Sequence, residues 1–155
     1  MTSTEPGPSA PDKPGDAALA EALTTEYGVI YGYGMVSAHS PPDINYLVAD
    51  ALHQHRDRRD QVVAMLTDRS VTVPIAAAGY QLPVPVNNPT EAAQLAVRME
   101  NDAAVAWRAV LEHAQTSEDR AFAVTALTQS AVLGARWNRA LGIWPITGAF
   151  PGGSE

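Results

Sequence analysis

Four ionisable residues lie in the middle of otherwise apolar helical stripes. Glu26 and Glu100 each occupy the centre of one stripe, and His55 and Arg58 share the centre of a third. Each stripe follows the helical period, which places residues three and four apart on one face. The apolar members are Leu19, Leu23, Ile30 and Tyr33; Ile44, Val48, Ala51, Val62 and Leu66; and Ala93, Val97, Ala104, Trp107 and Leu111. A stripe that serves packing alone would not place charge there, so the spacing predicts a polar cluster inside a helical protein.

Carboxylates and an imidazole in such positions could hold a transition metal. In ferritin-like di-iron bundles, two helices each supply a Glu and the other two each supply Glu-x-x-His. Glu26 and Glu100 suit the single-Glu positions, but the second helix offers His55 and Arg58 instead of Glu and His. The fourth helix has no Asp, Glu or His between residues 120 and 141. At most Glu26, His55 and Glu100 remain as candidate ligands for Fe or Mn.

Arg58 favours a different chemistry. A guanidinium stays charged at any accessible pH, so it would repel a divalent cation beside it. It would instead neutralise a buried glutamate, whose unpaired charge is costly inside a protein. The sequence therefore predicts an internal salt-bridge cluster, with a single-metal site and a small polar ligand pocket as the alternatives. The predicted cluster contains Glu26, His55, Arg58, Arg59, Glu100 and Gln129.

Length and composition are those of one acidic helical domain. A chain of 155 residues with 46% hydrophobic content can bury a single core, and few aromatic residues favour helices over a sheet. The net charge of −7 argues against a nucleic-acid partner, and the absence of cysteine excludes disulfides and thiolate ligands. No apolar run is long enough to span a membrane. We expect a cytoplasmic protein with a disordered Pro-rich and Ser-rich tail at residues 1–15 and one domain at 16–150.

Capping signals divide this domain into four helices. They are expected at 16–38, 43–69, 89–114 and 118–141, with Ser40, Asn88 and Thr116 as the caps of the second, third and fourth. The stripe of the fourth helix is predicted to contain Val124, Leu127, Ala131, Gly134 and Leu141. After it, Trp144, Ile146 and Phe150 are expected to pack back on the helices.

The connections predict the topology. The first and third are tight, whereas residues 71–89 form a long segment with four prolines. A single long connection allows helices 2 and 3 to run parallel, which is the ferritin-like four-helix bundle with one crossover. A simple up-down-up-down bundle is the alternative.

Several segments resemble a known family, the uncharacterised, alanine-rich ferritin-like proteins of mycobacteria and related actinobacteria. The resemblance covers nearly everything except the N-terminal tail. It implies a ferritin-like fold and a domain of unknown function, and it implies no particular activity, substrate or metal. The segments are IYGYG at 30–34, SPPDINYLVADAL at 40–52, HRDRRD at 55–60, TVPIAAAGYQLP at 72–83, RMEND at 98–102, TALTQSAV at 125–132 and ARWNRALGIWPIT at 135–147.

Three functions fit these observations. The first is a non-catalytic binding or scaffold bundle that needs no cofactor and forms a homodimer, with a small ligand or another protein as partner. The second is a metalloprotein or oxidoreductase that holds Fe or Mn with Glu26, His55 and Glu100. The third is a small-molecule pocket between the bundle and the 71–89 segment. The sequence favours the first, because Arg58 and a fourth helix without Asp, Glu or His between residues 120 and 141 take the place of metal ligands.

Overall fold

The computed structural model describes residues 4–153, and this part of the chain is all helical. Its four α-helices are α1 (Pro14–His39), α2 (Asn45–Asp68), α3 (Pro89–His113) and α4 (Ser117–Leu141). A short 3₁₀ helix, Pro42–Ile44, precedes α2. The described residues contain no strand, only one isolated bridge between Ser9 and Val71. None of the helices in residues 4–153 is long and apolar enough to cross a lipid bilayer.

Two of the three expected helix caps are present. The Asn88 side chain accepts a hydrogen bond from the Glu91 amide at 2.9 Å, and Thr116 accepts one from the Asp119 amide at 3.1 Å. The prediction that Ser40 caps the second helix is wrong, because its hydroxyl donates to the Val36 carbonyl at the end of α1. The free carbonyls at a helix end compete for such a hydroxyl. The chain therefore enters α2 through the 3₁₀ turn.

The directions of the helices follow from residues that meet across each pair. In every pair of helices, the numbers of the contacting residues rise along one helix as they fall along the other, which is the antiparallel arrangement. The pairs are Asp16 with Arg69 and Glu26 with His55 for α1 and α2; Gly15 with His113 and Tyr33 with Glu100 for α1 and α3; and Trp107 with Phe122 and Glu100 with Gly134 for α3 and α4. Because α2 and α3 both run opposite to α1, they run parallel to each other. The up-down-up-down alternative is thereby excluded, whereas the parallel arrangement that the loop lengths predict is present.

The long segment between α2 and α3 lies against α1. Tyr27 of α1 donates a hydrogen bond to the Pro74 carbonyl at 3.0 Å, and the Tyr31 ring contacts the Tyr80 ring. Val71 and Val86, near the two ends of the segment, are buried. The segment therefore lies along the surface of the helices.

The two ends of the chain differ from what the sequence predicted. Helix α1 begins at Pro14, within the expected tail, and the Ser9 backbone pairs with that of Ser70 and Thr72. At the other end, Trp144 and Phe150 are each 73% exposed, so the prediction that they pack on the helices is wrong. Ile146, the third residue expected to pack there, is half-buried, and its carbonyl accepts a hydrogen bond from the Asn138 side chain at 3.0 Å.

Candidate functional site

The centre of the molecule contains the four ionisable residues that interrupt the apolar stripes. Glu26 comes from α1, His55 and Arg58 come from α2 one helical turn apart, and Glu100 comes from α3. All four are buried. We call them the ion-pair cluster. Polar groups at this depth must satisfy one another, since water cannot reach them.

His55 bridges the two carboxylates. Its Nδ1 lies 2.5 Å from Oε2 of Glu26, and its Nε2 lies 3.0 Å from Oε1 of Glu100. Burial would lower the pKa of His55, but the charge and hydrogen bond of Glu100, together with those of Glu26, raise it from 6.5 to about 9. His55 is therefore a doubly donating imidazolium at neutral pH.

Glu26 is held as a carboxylate by three neighbours. Besides His55, Arg58 Nη1 donates to its Oε1 at 3.0 Å and the Trp107 indole N–H donates to the same oxygen at 2.7 Å. Burial would raise the pKa of Glu26, but the hydrogen bond and charge of His55 and the charge of Arg58 outweigh it and lower the pKa below 4.5. Both oxygens of this carboxylate are thus engaged.

Glu100 has one engaged oxygen and one free oxygen. Its Oε1 accepts a hydrogen bond from the Tyr33 hydroxyl, with 2.5 Å between the two oxygens, in addition to the contact with His55. The Trp137 indole N–H donates in turn to the Tyr33 oxygen at 2.9 Å. Burial and the Glu100 carboxylate raise the pKa of Tyr33 well above 10, so the phenol remains a donor. No residue within 4–153 donates a hydrogen bond to Oε2 of Glu100.

Arg58 joins the cluster to α4 through one of its three nitrogens. Nη1 donates both to Glu26 and to the Ser130 hydroxyl, the latter at 2.9 Å. Nε and Nη2 are buried without a hydrogen-bond partner among the described residues. With two carboxylates, one imidazolium and one guanidinium, the charges of the ion-pair cluster sum to zero.

A cavity lies directly beside Arg58, between α2 and α4, which pack less closely than the other neighbouring helices. Its volume is about 430 Å³. We call it the α2–α4 cavity. Residues that line it are Gln54, Asp57 and Arg58 from α2 and Glu118, Ala121 and Phe122 from α4. Gln54 also contributes a buried side-chain oxygen that has no hydrogen-bond partner within residues 4–153.

Two residues of the predicted cluster lie elsewhere. Arg59 is one position beyond Arg58, which turns it by about 100° around the helix. Its Nε donates to the Asp60 carboxylate at 2.8 Å. Gln129 lines the α2–α4 cavity instead of contacting Glu26 or Glu100. The position on α4 that reaches the cluster is the next residue, Ser130.

Three aromatic residues belong to the site although their chemistry was not predicted. Tyr33 and Trp107 were placed on core stripes, and Trp137 was placed on no stripe. Each carries a buried hydrogen-bond donor, and such donors usually find a polar partner. An N–H or O–H on the same stripe as Glu26 or Glu100 is the signal that could have identified Tyr33 and Trp107, and it does not extend to Trp137 on α4.

A comparison with protein-family models shows the family. Residues 18–155 match the family model described as Domain of unknown function (DUF4439). The chain belongs to this family. It is also similar to the crystal structure of a conserved hypothetical protein, rv2844, from Mycobacterium tuberculosis, with 66% identity and a TM-score of 0.82. That match covers 88% of this chain and 96% of the other. No curated protein matches the chain.

The donor set of this DUF4439 chain does not fit a di-iron centre. Such a centre needs carboxylate or imidazole ligands from all four helices, but the residue that α4 contributes is Ser130. Within residues 4–153, no group of three or more His, Asp or Glu side chains is arranged to hold a metal ion. Glu26, His55 and Glu100 do meet, but they meet as an ion pair on each side of one imidazolium.

Proposed function

We propose that this protein is a non-catalytic ferritin-like four-helix bundle that binds a ligand or a protein partner, with the ion-pair cluster in the position of a metal centre. The ferritin-like part rests on connectivity. Two short connections join antiparallel pairs, and the long one joins the parallel helices α2 and α3. That order is the one-crossover arrangement of ferritin-like folds.

The observation that carries the proposal is the position of His55 between two carboxylates. Both of its ring nitrogens are used, and a ligating imidazole would need one of them free of protons. Arg58 supplies a second positive charge against Glu26 at 3.0 Å. Since the charges already balance, a divalent cation would add an excess positive charge to a buried site.

Metal content tests the proposal. Tag-free protein from cells grown with added Fe and Mn is purified without chelator, and each metal is measured per chain. We expect far less than one Fe or Mn per chain, and a urea unfolding curve that does not change when EDTA is added. Stoichiometric metal, or a clear loss of stability in EDTA, would refute the proposal that the ion-pair cluster takes the place of a metal centre.

A matched pair of variants tests the structural role of the cluster under the same conditions. Glu26→Gln leaves His55 and Arg58 buried without this carboxylate, and breaking a buried pair in this way costs about 3–5 kcal/mol. Asp102→Asn breaks the exposed pair with Arg98, for which a loss of less than about 1 kcal/mol is expected. Equal effects of the two changes would contradict a cluster that holds the helices together.

The second candidate function is a single Fe or Mn site made by Glu26, His55 and Glu100. The free Oε2 of Glu100 favours it, since this oxygen has no donor among the described residues and lies on a carboxylate that already contacts His55. Such a site predicts metal that copurifies with the wild type and is lost in Glu100→Ala. An assay for oxidoreductase activity is worthwhile only after copurifying metal has been found.

A homodimer and a cytoplasmic location complete the proposal. Three large apolar side chains, Val105, Val132 and Phe150, are exposed and line one groove formed by α3, α4 and the C-terminal segment. Apolar patches of this kind serve as interaction surfaces. A second copy of the chain is the partner we propose for it, and cell fractionation would test the location.

A further inference from the structure

The middle of α2 is a polar run between two apolar anchors. From His53 to Gln61, nine consecutive residues carry no apolar side chain, whereas the longest such run in the other helices is four residues, at the start of α4. Apolar side chains on both sides of this run are buried, namely Leu47, Val48 and Ala51 before it and Val62 and Leu66 after it. Burial of apolar surface is the main force that holds a helix against its neighbours. It therefore fastens the two ends of α2 but not residues 53–61, which we call the polar run.

The ion-pair cluster joins the polar run to the rest of the bundle. The two buried residues of the run are His55 and Arg58. They make side-chain hydrogen bonds with Glu26 of α1, Glu100 of α3 and Ser130 of α4. The other side-chain hydrogen bonds found in the polar run join its own residues to each other. This part of α2 is thus held by polar contacts, which water can replace.

The polar run has few close neighbours on α4. Five of its nine residues line the α2–α4 cavity, and α2 packs less closely on α4 than on α1. Low contact density and few buried apolar contacts are the properties of segments that open without global unfolding. The ends of α2, with their buried apolar side chains, lack these properties. Opening is therefore expected within residues 53–61 and not along the whole helix.

Buried polar atoms without partners favour the same opening. Residues 4–153 contain four buried side-chain nitrogen or oxygen atoms that have no hydrogen-bond partner, and three of them belong to the polar run. These three are Oε1 of Gln54 and Nε and Nη2 of Arg58. Each raises the free energy of the closed form, because it has lost its hydrogen bonds to water and gained none in the protein. Opening restores their contact with water and so costs less than it would for a satisfied segment.

We propose that the polar run is a gate: residues 53–61 unfold locally while the ends of α2 and the other three helices stay packed, and the open form admits water to Glu26 and Glu100. His55 and Arg58 are the latch of this gate, since their hydrogen bonds to the other helices must break when it opens. The gate goes beyond the proposed function, because it concerns how solvent reaches the ion-pair cluster and not what the cluster holds.

Amide hydrogen exchange of the wild type tests the gate. In α2 the amides of residues 57–61 are bonded to the carbonyls of residues 53–57, so these bonds lie within the polar run. The amides of residues 103–107 in α3, which packs closely on both α1 and α4, are the reference. At pH 7 the opening constant at 57–61 should exceed that at 103–107 by at least about tenfold. Its dependence on low urea concentrations should also be smaller, because local opening exposes little surface.

Two variants separate the gate from global unfolding. Ser130→Ala removes a hydrogen bond that breaks in the open form, so it should raise the opening constant at 57–61 by about tenfold, as expected for a bond to a charged group. Gly32→Ala strains the contact of α1 with Met99 of α3, which stays intact when the gate opens. It should therefore raise the opening constant at 103–107 and leave that at 57–61 unchanged.

Thr128→Ala is the matched control for Ser130→Ala, because it removes an exposed hydroxyl from the same helix outside the ion-pair cluster. Exchange at 57–61 should stay as in the wild type. The gate is overturned if 57–61 and 103–107 have the same opening constant and urea dependence in the wild type, or if Gly32→Ala accelerates both sets equally. It is also overturned if Ser130→Ala accelerates exchange at 57–61 no more than Thr128→Ala does.

Discussion

The charge on His55 balances the buried carboxylates, and its titration should be visible in stability. Its pKa is about 9 in the folded protein against 6.5 for an ordinary histidine, because Glu100 and Glu26 hold the proton. A group with a raised pKa contributes its full stabilisation below 6.5 and loses it as pH rises through 9. We predict that the free energy of unfolding falls by about 3 kcal/mol over this interval, measured by urea unfolding.

Two histidine variants separate this effect from general alkaline destabilisation. His53→Gln changes an exposed residue two positions away from His55. The unfolding free energy of this variant should still fall between pH 6.5 and 9. His55→Gln should remove the fall of the unfolding free energy with pH, even if this variant is less stable than the wild type at every pH. Glu26 acts at the other end of the pH range, because its lowered pKa gives stabilisation above 4.5 that is lost as pH falls. A flat profile from pH 6 to 9 in the wild type would show that His55 is not charged.

Much of the site could be predicted at the scale of single residues. An ionisable residue in an apolar stripe is buried, so it needs another charged residue as its partner. This requirement identified Glu26, His55, Arg58 and Glu100. The contribution of Ser130 could not be found in this way, since serine is common in helices and its hydroxyl has no preferred burial. Its role depends on the reach of Arg58 across to α4, which is a tertiary property.

At the scale of elements, α1 and α3 pack tightly where Gly32 faces the Met99 side chain. A Cβ added at Gly32 would overlap the Met99 sulfur, whereas a Cβ at Gly34 would meet nothing. Gly32→Ala should therefore destabilise the protein by about 1–3 kcal/mol through overpacking. Gly34→Ala should stabilise it by up to about 1 kcal/mol, because alanine is the better helix former.

Both glycine variants lie on the same helix, so urea unfolding of the pair isolates the packing effect from helix propensity. A wild-type far-UV circular dichroism spectrum for each would show that α1 is intact. If the two substitutions changed the free energy of unfolding by the same amount and in the same direction, the close approach of α1 and α3 at Gly32 would be contradicted.

The sequence predicts that α4 is a helix, but it does not predict which face of α4 is buried. The predicted stripe passes through Val124 and Leu127, one residue beyond Ala123 and Ala126. The structure buries the alanines and leaves Val124 47% exposed. In an alanine-rich helix, neighbouring stripes differ little in hydrophobicity, so a shift of one residue carries little signal.

At the scale of the whole molecule, the topology follows from loop lengths, whereas the contacts that close its ends do not. Arg69 at the end of α2 donates to Asp16 of α1 at 2.8 Å and to Asp119 of α4 at 2.6 Å. Each of the three residues reads as an ordinary helix-terminal charge in the sequence. Only the antiparallel arrangement of α2 against both helices brings them together.

The exposed apolar groove on α3 and α4 leads to the last prediction, a homodimer. Val105, Val132 and Phe150 together present a surface that a second copy could cover by symmetry. Sedimentation equilibrium should give about twice the mass of one chain. Phe150→Ser should shift the equilibrium towards the single chain, because it removes a large apolar side chain from the middle of the contact.

Ile75→Ser is the matched control for this measurement. Ile75 is 89% exposed on the segment between α2 and α3, outside the groove, so its loss should leave the dimer intact. A single-chain mass for the wild type would refute the homodimer. Dissociation caused by Ile75→Ser but not by Phe150→Ser would place the dimer contact on the segment between α2 and α3. The ring of Tyr80 in this segment contacts the ring of Tyr31 in α1.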